Sequence, residues 1–202
     1  MSSLNVLVDG SAVAVEIGAD GFKLFTDRAI VAMRVNGELR DLAHKLSADD
    51  NVEGVLISSE DGLNILRHST AHVLAQAVQS INPEAKLGIG PPIKDGFYYD
   101  FDVENAFTPE DLKSLEKAMQ KIVQSGQRFI RRVTTDGDAR VELSGEPYKL
   151  ELIGLKGSDL GEGGAEVGAG DLTIYDNVDP QSGETIWRDL CRGPHLPNTR
   201  MI

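Results

Sequence analysis

The chain has 202 residues, of which 41% are hydrophobic and 26% charged, and its formal net charge at pH 7 is −12. This length allows one or two domains with a buried core, and the acidic balance argues against a nucleic-acid binder with a broad basic face. A single cysteine excludes a disulfide within the chain, and no apolar run approaches the ~20 residues that span a bilayer. The sequence therefore predicts a soluble, cytoplasmic protein in which any contact with RNA is local.

Residues 1–62 carry the pattern of a small sheet crossed by one helix. Alternating apolar residues predict a first strand, and Asp9-Gly10 and Asn36-Gly37 are strong two-residue hairpin turns. The elements expected in order are strands over 4–9 and 12–17, a short helix over 22–27, a strand over 30–35, a mixed segment with a helical turn over 38–46, and a strand over 51–58. This ββαββ order predicts a small β-grasp (ubiquitin-like) module.

Residues 63–202 are expected to form a larger α+β domain with an antiparallel sheet and helices. The Ser-Ser-Glu-Asp-Gly stretch at 58–62 suits a domain boundary and a helix start, and Thr108-Pro109 is typical of a second helix start. The elements expected in order are a helix over 63–81, a strand that feeds a tight turn over 86–92, a strand over 96–103, a helix over 109–125, a strand over 129–133, a short helix over 136–143, a helix or strand over 148–153, a glycine-rich mobile loop or linker over 154–171, a strand over 172–175, a loop over 176–183, and a segment over 186–190.

Histidine and cysteine are concentrated in two short stretches. His68 and His72 lie four residues apart in the predicted helix, so their imidazoles share one face, one turn apart. Far downstream, Cys191 and His195 lie within Cys-Arg-Gly-Pro-His, and Cys191 is the only cysteine of the chain. We expect the two stretches to meet in the fold and to form one site, although a histidine pair at this spacing is also common on surfaces and in satisfied cores.

Three kinds of chemistry suit these side chains. His68, His72, Cys191 and His195 offer the nitrogen and sulfur ligands that Zn²⁺ prefers. Without a metal, imidazoles can position or deprotonate a water while a lysine or a backbone amide stabilises the developing oxyanion. The thiol of Cys191 can also act as a nucleophile. The residue types and their spacing leave all three readings open.

Five motifs follow one another along the second domain. They are Arg67-His68-Ser69-Thr70-Ala71-His72, Gly88-Ile89-Gly90-Pro91, Gly96-Phe97-Tyr98-Tyr99-Asp100, Pro147-Tyr148-Lys149 and Asp189-Leu190-Cys191-Arg192-Gly193-Pro194-His195. In this order they resemble the editing domain of bacterial threonyl-tRNA synthetases, and residues 1–62 are similar to the TGS domain of the same enzymes, a β-grasp. The resemblance implies a TGS-like domain at 1–62 and an editing domain at 63–202 that is truncated at its C-terminus.

The resemblance implies hydrolysis of an ester. Editing domains of this family remove serine misattached to the threonine tRNA, so the chain would be an aminoacyl-tRNA deacylase of a class II synthetase that does not itself aminoacylate. A second site is needed because one methyl group is worth only ~1–3 kcal/mol in a pocket, or about 10–200-fold. The positions that match the family's site are His68, His72, Tyr99, Lys149, Asp189, Cys191 and His195. Gly90 is expected as a further substrate-binding position.

The resemblance also suggests a role for each group. Lys149 and His68 are expected to position and polarise the attacking water, and Asp189 and Tyr99 to hold the seryl amine and the terminal adenosine. The remaining members shape the pocket so that it excludes the methyl of threonine, and these are His72, Cys191 and His195.

The resemblance further implies cofactors and partners. No cofactor is expected in this part of the enzyme, with Zn²⁺ on the four histidine and cysteine residues as the alternative, whereas ATP and a further Zn²⁺ belong to a catalytic domain that this sequence lacks. The expected partners are the 3′ end of the threonine tRNA and the remainder of a homodimeric synthetase, and no membrane. Two other functions stay open, namely a non-catalytic module that docks tRNA or protein, and a structural zinc domain.

Overall fold

The fold is described from a computed structural model, which covers residues 3–155 and 170–202. The chain divides into two compact units, the first comprising Met1–Leu66 with Gly193–Pro197 and the second Arg67–Arg192 with Asn198–Ile202. Most of the glycine-rich stretch that the sequence predicts as a mobile loop lies outside the described residues. Within the described residues, no helix combines the length and the apolar character that crossing a membrane requires.

The first unit contains a five-stranded mixed sheet. Its elements are β1 (Ser3–Val8), β2 (Ser11–Glu16), α1 (Gly21–Leu24), β3 (Ile30–Val35), β4 (Glu38–Asp41) and β5 (Asn51–Leu56). The strand order is β2-β1-β5-β3-β4, with β1 and β5 parallel and every other pair antiparallel. The two predicted hairpin turns are present, because Asp9, Gly10, Asn36 and Gly37 all have positive φ.

The structure differs from the prediction for this unit at two places. Within the segment expected to be mixed, Glu38–Asp41 form the strand β4, because the Asn36-Gly37 turn returns the chain antiparallel to β3, where Val35 pairs with Glu38. The helix α1 is a single turn, because Phe25 is already extended. The core of the unit lies on one face of the sheet and consists of Val6, Met33, Val35, Leu42, Leu46 and Val52.

The long helix α2 (Glu60–Ile81) begins three residues earlier than predicted. Ser59 acts as its cap, since the amide of Gly62 donates to Ser59 Oγ at 3.1 Å. Glu60 and Asp61 occupy the first turn, where carboxylates suit the positive end of the helix dipole. The helix runs from the end of the first unit into the second.

The second unit continues with four two-residue strands where two longer strands were predicted. They are β6 (Lys86–Leu87), β7 (Pro92–Ile93), β8 (Gly96–Phe97) and β9 (Phe101–Asp102), paired as β6–β9 and β7–β8. The strand that begins at Lys86 ends before Pro91 and Pro92, which lack the amide that a sheet interior needs, whereas the strand expected over 96–103 is interrupted between Phe97 and Phe101. The helix α3 (Pro109–Ser125) is confirmed, with a Thr108–Asp111 capping box and a left-handed Gly126 at its end.

A three-stranded antiparallel sheet forms the centre of the second unit. It consists of β10 (Arg128–Thr134), β11 (Leu172–Val178) and β12 (Thr185–Leu190), in that order. The predicted loop over 176–183 is wrong at its start, because residues 176–178 extend β11 and pair with both neighbours. The helices α4 (Asp136–Glu142) and α5 (Pro147–Gly154) complete the unit with a 3₁₀ turn at Thr199–Met201, so that an α+β class with antiparallel sheets is confirmed.

Candidate active site

The helix α2 carries a polar stripe. His68, His72 and Gln76 follow one another at four-residue spacing, and Gln79 comes three residues later, so all four share one face. Contacts of three of them reach the strands, since the ring of His72 lies 5.5 Å from the ring of Trp187, Gln76 accepts from Asn177 Nδ2 at 2.7 Å, and Gln79 accepts from the indole of Trp187. Polar side chains on the helix face that packs against a sheet replace apolar side chains that would stabilise the fold. Such a replacement is typical of a functional site.

The strand β12 separates two kinds of side chain. Successive residues of a strand point to opposite faces, so Trp187 and Asp189 share one face and Arg188 and Leu190 the other. Leu190 belongs to an apolar cluster with Leu172 and Ile174 of β11 and with residues of α4 and α5. Asp189 is 1% exposed and lies on the face that meets α2. The alternation of this one strand therefore sends a buried carboxylate toward the histidines.

His68, His72 and Cys191 come together as the sequence predicts. His68 Nε2 lies 3.2 Å from Cys191 Sγ, and the rings of the two histidines meet edge to face with 5.3 Å between centroids. One ligand atom from each of the three lies within 4.8 Å of the others. The backbone of Cys191 continues the sheet, because its amide donates to the carbonyl of Thr173 at 3.1 Å.

Both histidines are neutral at physiological pH. Burial, with the positive charge of Lys149 as the smaller cause, lowers the pKa of His68 to about 4. Burial also lowers the pKa of His72 well below its ordinary value, with smaller contributions from His68 and Lys149. Each ring therefore keeps one nitrogen that can accept a hydrogen bond or bind a metal.

Asp189 is the centre of a buried group of charges. Its Oδ1 lies 3.0 Å from Lys149 Nζ and accepts from the amide of Leu190 at 2.8 Å, and its Oδ2 accepts from the hydroxyl of Tyr99 at 2.6 Å. Lys149 and Asp189 side chains are each only 1% exposed. His72 Nε2 is 3.8 Å from Asp189 Oδ2, which is too long for a hydrogen bond. The carboxylate thus holds Lys149 and Tyr99 in place beside the histidines.

Gly90 supports Tyr99 through the absence of a side chain. A Cβ atom at this position would lie 2.2 Å from Cδ2 of the Tyr99 ring, so only glycine leaves room for the ring as it stands. The ring of Tyr99 also stacks on Phe101, with 4.8 Å between centroids, and Lys149 Nζ lies 5.4 Å from the centroid of the Tyr99 ring. The predicted substrate-binding position therefore touches the predicted site through Tyr99.

His195 lies in the segment Gly193–Pro197, which belongs to the first unit. It is 1% exposed, and its amide donates to Asp41 Oδ1 at 3.0 Å. Only three residues separate it from Cys191 along the chain. Its part in the site stays a prediction.

The trio of His68, His72 and Cys191 suits Zn²⁺ in ligand type and spacing. Nitrogen and sulfur ligands about 2.0 and 2.3 Å from a tetrahedral zinc are roughly 3.5 Å apart, and His68 Nε2 and Cys191 Sγ are 3.2 Å apart. The histidines are also neutral, as metal ligands must be. The positive charge of Lys149, which lowers both histidine pKa values, would however oppose a bound cation.

Three residues beside the site were missed by the sequence analysis. They are Gln79, Glu146 and Trp187, which hydrogen-bond to one another next to His72 and Lys149. A signal for two of them was present, since Trp187 is the only tryptophan of the chain and precedes Asp189 by two residues, and Gln79 extends the face of His68 and His72. Nothing in the sequence points to Glu146.

Comparisons with known proteins agree with this geometry. Residues 172–202 match the family model described as the threonyl and alanyl tRNA synthetase second additional domain. The chain is 73% identical over 190 residues to threonine–tRNA ligase of Leifsonia xyli subsp. xyli, covering 91% of this chain and 27% of that relative.

Two further relatives have comparable identity and coverage. Threonine–tRNA ligase of Streptomyces griseus subsp. griseus is 60% identical over 209 residues, covering 100% of this chain and 32% of the relative. The enzyme of Thermobifida fusca is 60% identical over 200 residues, covering 98% of this chain and 29% of the relative. This chain thus spans less than a third of the length of the three relatives, and its homologues are threonine–tRNA ligases, a family of aminoacyl-tRNA synthetases.

Proposed function

We propose that this chain is the editing part of a threonine–tRNA ligase and that it hydrolyses the ester of serine misattached to threonine tRNA. The observation that carries the proposal is the buried Lys149–Asp189–Tyr99 group beside the neutral His68 and His72. Buried ionic groups are costly to maintain, and together with histidines of lowered pKa they are typical of catalytic sites.

The reaction needs an attacking water and stabilisation of an oxyanion. The water oxygen bonds to the ester carbonyl carbon, the bond to the terminal ribose oxygen breaks, and the released proton ends on that ribose oxygen. His68 accepts a hydrogen bond from the water through a neutral ring nitrogen, and with a pKa of about 4 it orients the water more than it deprotonates it. The ammonium group of Lys149 stabilises the charge that develops on the carbonyl oxygen.

Recognition of serine falls to the other members of the site. A carboxylate offers about four lone-pair positions, so Asp189 can accept from the seryl ammonium beside its ion pair with Lys149 and the hydrogen bonds that it accepts from Leu190 and Tyr99. We assign Tyr99 and Gly90 to the terminal adenosine. The methyl of threonine is excluded by the side chains that wall the pocket, namely His72, Cys191 and His195, the last of which follows Cys191 closely in the chain.

The first domain and the partners belong to the same proposal. The β2-β1-β5-β3-β4 order of the first unit supports the assignment of residues 1–62 to a TGS-like β-grasp domain. The partners are the 3′ end of the threonine tRNA and the rest of a homodimeric ligase in the cytoplasm. With a net charge of −12, the chain alone binds tRNA weakly and in a salt-sensitive manner.

The test is deacylation of seryl-tRNA and threonyl-tRNA by the purified chain, with and without a chelator. We expect hydrolysis of seryl-tRNA only, unaffected by the chelator, and loss of about 10²-fold or more in rate on His68→Ala or Lys149→Met. Lys117→Met is the matched control, because Lys117 is an exposed lysine of α3. Equal hydrolysis of both substrates, or a His68→Ala variant of full activity, would contradict the assignment.

A second candidate is a structural zinc site on His68, His72 and Cys191. Their ligand atoms within 4.8 Å of one another favour it. It predicts one equivalent of zinc in the purified chain and unfolding by a chelator, with no selective hydrolysis of seryl-tRNA. Metal analysis and a thermal melt with a chelator therefore separate the two candidates.

A further inference from the structure

We propose that Gln79, Trp187 and Glu146 form a positioning network that holds the reacting groups of the site in register. This inference rests on the proposed function, because it concerns the same site. None of the three is placed against the substrate. They act instead through the helix and strand positions that carry His72, Asp189 and Lys149.

The network is a continuous chain of hydrogen bonds. Trp187 Nε1 donates to Gln79 Oε1 at 2.7 Å, and Gln79 Nε2 donates to Glu146 Oε1 at 2.7 Å and to the carbonyl of Ala85 at 3.1 Å. The other carboxylate oxygen of Glu146 accepts from the amide of Leu87 at 2.8 Å. Four separate elements of the second unit are therefore joined through the side chains of Gln79 and Glu146, and they are α2, β6, β12 and the start of α5.

The partners determine which way the amide of Gln79 points. An indole nitrogen can only donate and a carboxylate can only accept, so Oε1 must face Trp187 and Nε2 must face Glu146. Three of the four hydrogen bonds that a glutamine can make are thus satisfied. Such a satisfied network has one low-energy arrangement and resists displacement of any of its members.

Each member lies close to a residue of the proposed reaction. Gln79 follows His72 by seven residues, which is two turns of α2 on the same face. Trp187 precedes Asp189 by two residues on the same face of β12, and its ring packs edge to face against His72. Glu146 precedes Lys149 by three residues, at the position immediately before α5. Gln79 thus couples the three elements whose spacing sets the geometry of the site.

Loss of the network should reduce the turnover rate more than the affinity. Removing the amide of Gln79 leaves the apolar contacts of α2 in place but frees the indole of Trp187, and with it the ring that packs on His72. A displacement of about 1 Å in a reacting group costs on the order of 10²-fold in rate. We therefore expect Gln79→Leu to lower kcat for seryl-tRNA by about 10–100-fold with a KM changed less than about threefold.

A reciprocal exchange provides the decisive rescue. Gln79→Glu alone keeps an acceptor for Trp187 but sets two carboxylates against each other, so it should impair turnover as Gln79→Leu does. Combining Gln79→Glu with Glu146→Gln restores a donor between positions 79 and 146, and keeps an acceptor for Trp187 and for the amide of Leu87. We expect the double variant to recover at least about tenfold of the lost kcat.

The controls separate positioning from a general loss of stability. Gln120→Leu removes an exposed glutamine of α3 and should leave kcat and KM unchanged. All variants are assayed at a temperature where circular dichroism shows complete folding. A kcat for Gln79→Leu equal to that of Gln120→Leu, or a double variant no more active than Gln79→Glu, would overturn the proposal.

A spectroscopic readout keeps the test independent of the proposed activity. Trp187 is the only tryptophan, so its indole N–H gives one NMR resonance that reports the bond to Gln79 directly. Gln79→Leu should shift this resonance and those of the His72 ring, and the double variant should return them toward their original positions. If the unsubstituted chain does not hydrolyse seryl-tRNA, the proposed function fails, and the positioning inference fails as well if the His72 resonances do not move.

Discussion

Neighbouring residues of β12 belong to two charge clusters of opposite character. Arg188 points to one face of the strand and joins an outer cluster with Arg132, Glu142 and Asp176. Asp189 points to the other face and joins the inner cluster with Lys149 and Tyr99. One step along the chain thus separates ion pairs in contact with water from an ion pair that is almost fully excluded from it.

The outer cluster resembles a network that serves stability alone. Arg132 forms two hydrogen bonds to Glu142, at 2.9 and 2.5 Å, and two to Asp176, at 2.6 and 3.4 Å, and Arg188 reaches Glu142 at 2.5 Å. Its side chains are between 10 and 39% exposed. Hydrogen bonds from Arg132 are the largest reason why the pKa of Glu142 lies below its usual value. Every charge has a partner and access to water, so the cost of desolvation is small.

The inner cluster is arranged at the expense of stability. Lys149 and Asp189 side chains are each 1% exposed, and an ion pair buried to this degree gains little or nothing over apolar residues of equal size. Two histidines with lowered pKa values lie beside it. Charge pairs on the two faces of β12 therefore serve different ends. The outer cluster supports the fold, whereas the inner cluster keeps a buried ion pair that costs stability and that the proposed hydrolysis requires.

The largest effect is expected where one member of the inner pair is removed. Lys149→Met leaves the carboxylate of Asp189 buried without its cation, which should lower the free energy of unfolding by about 3–5 kcal/mol. Combining Lys149→Met with Asp189→Leu removes both charges and should recover most of that loss, while seryl-tRNA hydrolysis stays absent. Urea denaturation and the deacylation assay measure the two effects separately. If the variant with both substitutions has the same unfolding free energy as Lys149→Met, the inner ion pair is not a cost to stability and this interpretation is wrong.

A smaller effect should follow from crowding the inner cluster without removing a charge. The Cβ of Gly90→Ala would lie 2.2 Å from the Tyr99 ring and must displace it, weakening the bond from Tyr99 to Asp189. We expect a loss of about 1–3 kcal/mol in unfolding free energy and a clear loss of hydrolysis. Gly145→Ala is the control, since a Cβ there meets no atom within 4 Å. Equal stability of the two variants would mean that Tyr99 does not depend on Gly90.

Acidification should lower the unfolding free energy through His68, which lies beside the inner cluster. The pKa of His68 is about 4 in the folded chain and about 6.5 in the unfolded chain, so between these values the unfolded state binds the additional proton. Stability is therefore complete above pH 6.5 and decreases as the pH falls, by about 1 kcal/mol between pH 7.5 and 5.5 for this one group. Urea midpoints across that range measure it, and His68→Gln should reduce the slope, whereas His72, whose pKa is also lowered, keeps its own contribution. A variant with the same slope as the unsubstituted chain would exclude His68 as the cause.

The smallest effect is expected in the outer cluster. Arg132→Met removes partly exposed ion pairs, each worth about 1 kcal/mol or less, and leaves Arg188 to neutralise Glu142 and Asp176. The loss should diminish further at about 1 M salt, where the Debye length is roughly 3 Å, and seryl-tRNA hydrolysis should be unchanged. Denaturation at low and high salt checks this. A loss of activity in Arg132→Met would show that the two faces of β12 are coupled.

Local features of the fold could be predicted from the sequence because short-range chemistry decides them. Examples are the Asn36-Gly37 turn, the Thr108 cap and the Gly126 end of α3. The predictions failed where distant pairing outweighed a weak local pattern, as in β4, whose strand state depends on β3. They also failed over 96–103, where one strand was expected and the structure has the two short strands β8 and β9.

The residues of the candidate site were predictable to a different degree. His68 and His72 share a helix face by spacing alone, and the order of the motifs added Tyr99, Lys149 and Asp189. Nothing in the sequence indicated that the carboxylate of Asp189 would be the common partner of the other two. The supporting residues Gln79 and Glu146 have no motif, because any polar residue of suitable length on these elements would look the same in a sequence.

The spacing of residues along the chain was enough to predict that the imidazoles of His68 and His72 share one side of α2. The strand β12 was not predicted, so the separation of Arg188 from Asp189 by its alternation became visible only in the folded chain. The chemistry of these groups likewise depends on the tertiary structure. Lys149 and Asp189 are 40 residues apart, and their pairing, their exclusion from water and the lowered pKa values of His68 and His72 all arise from packing between distant elements. Burial changes the free energy of a charge far more than its neighbours in sequence do, and burial is a property of the folded chain.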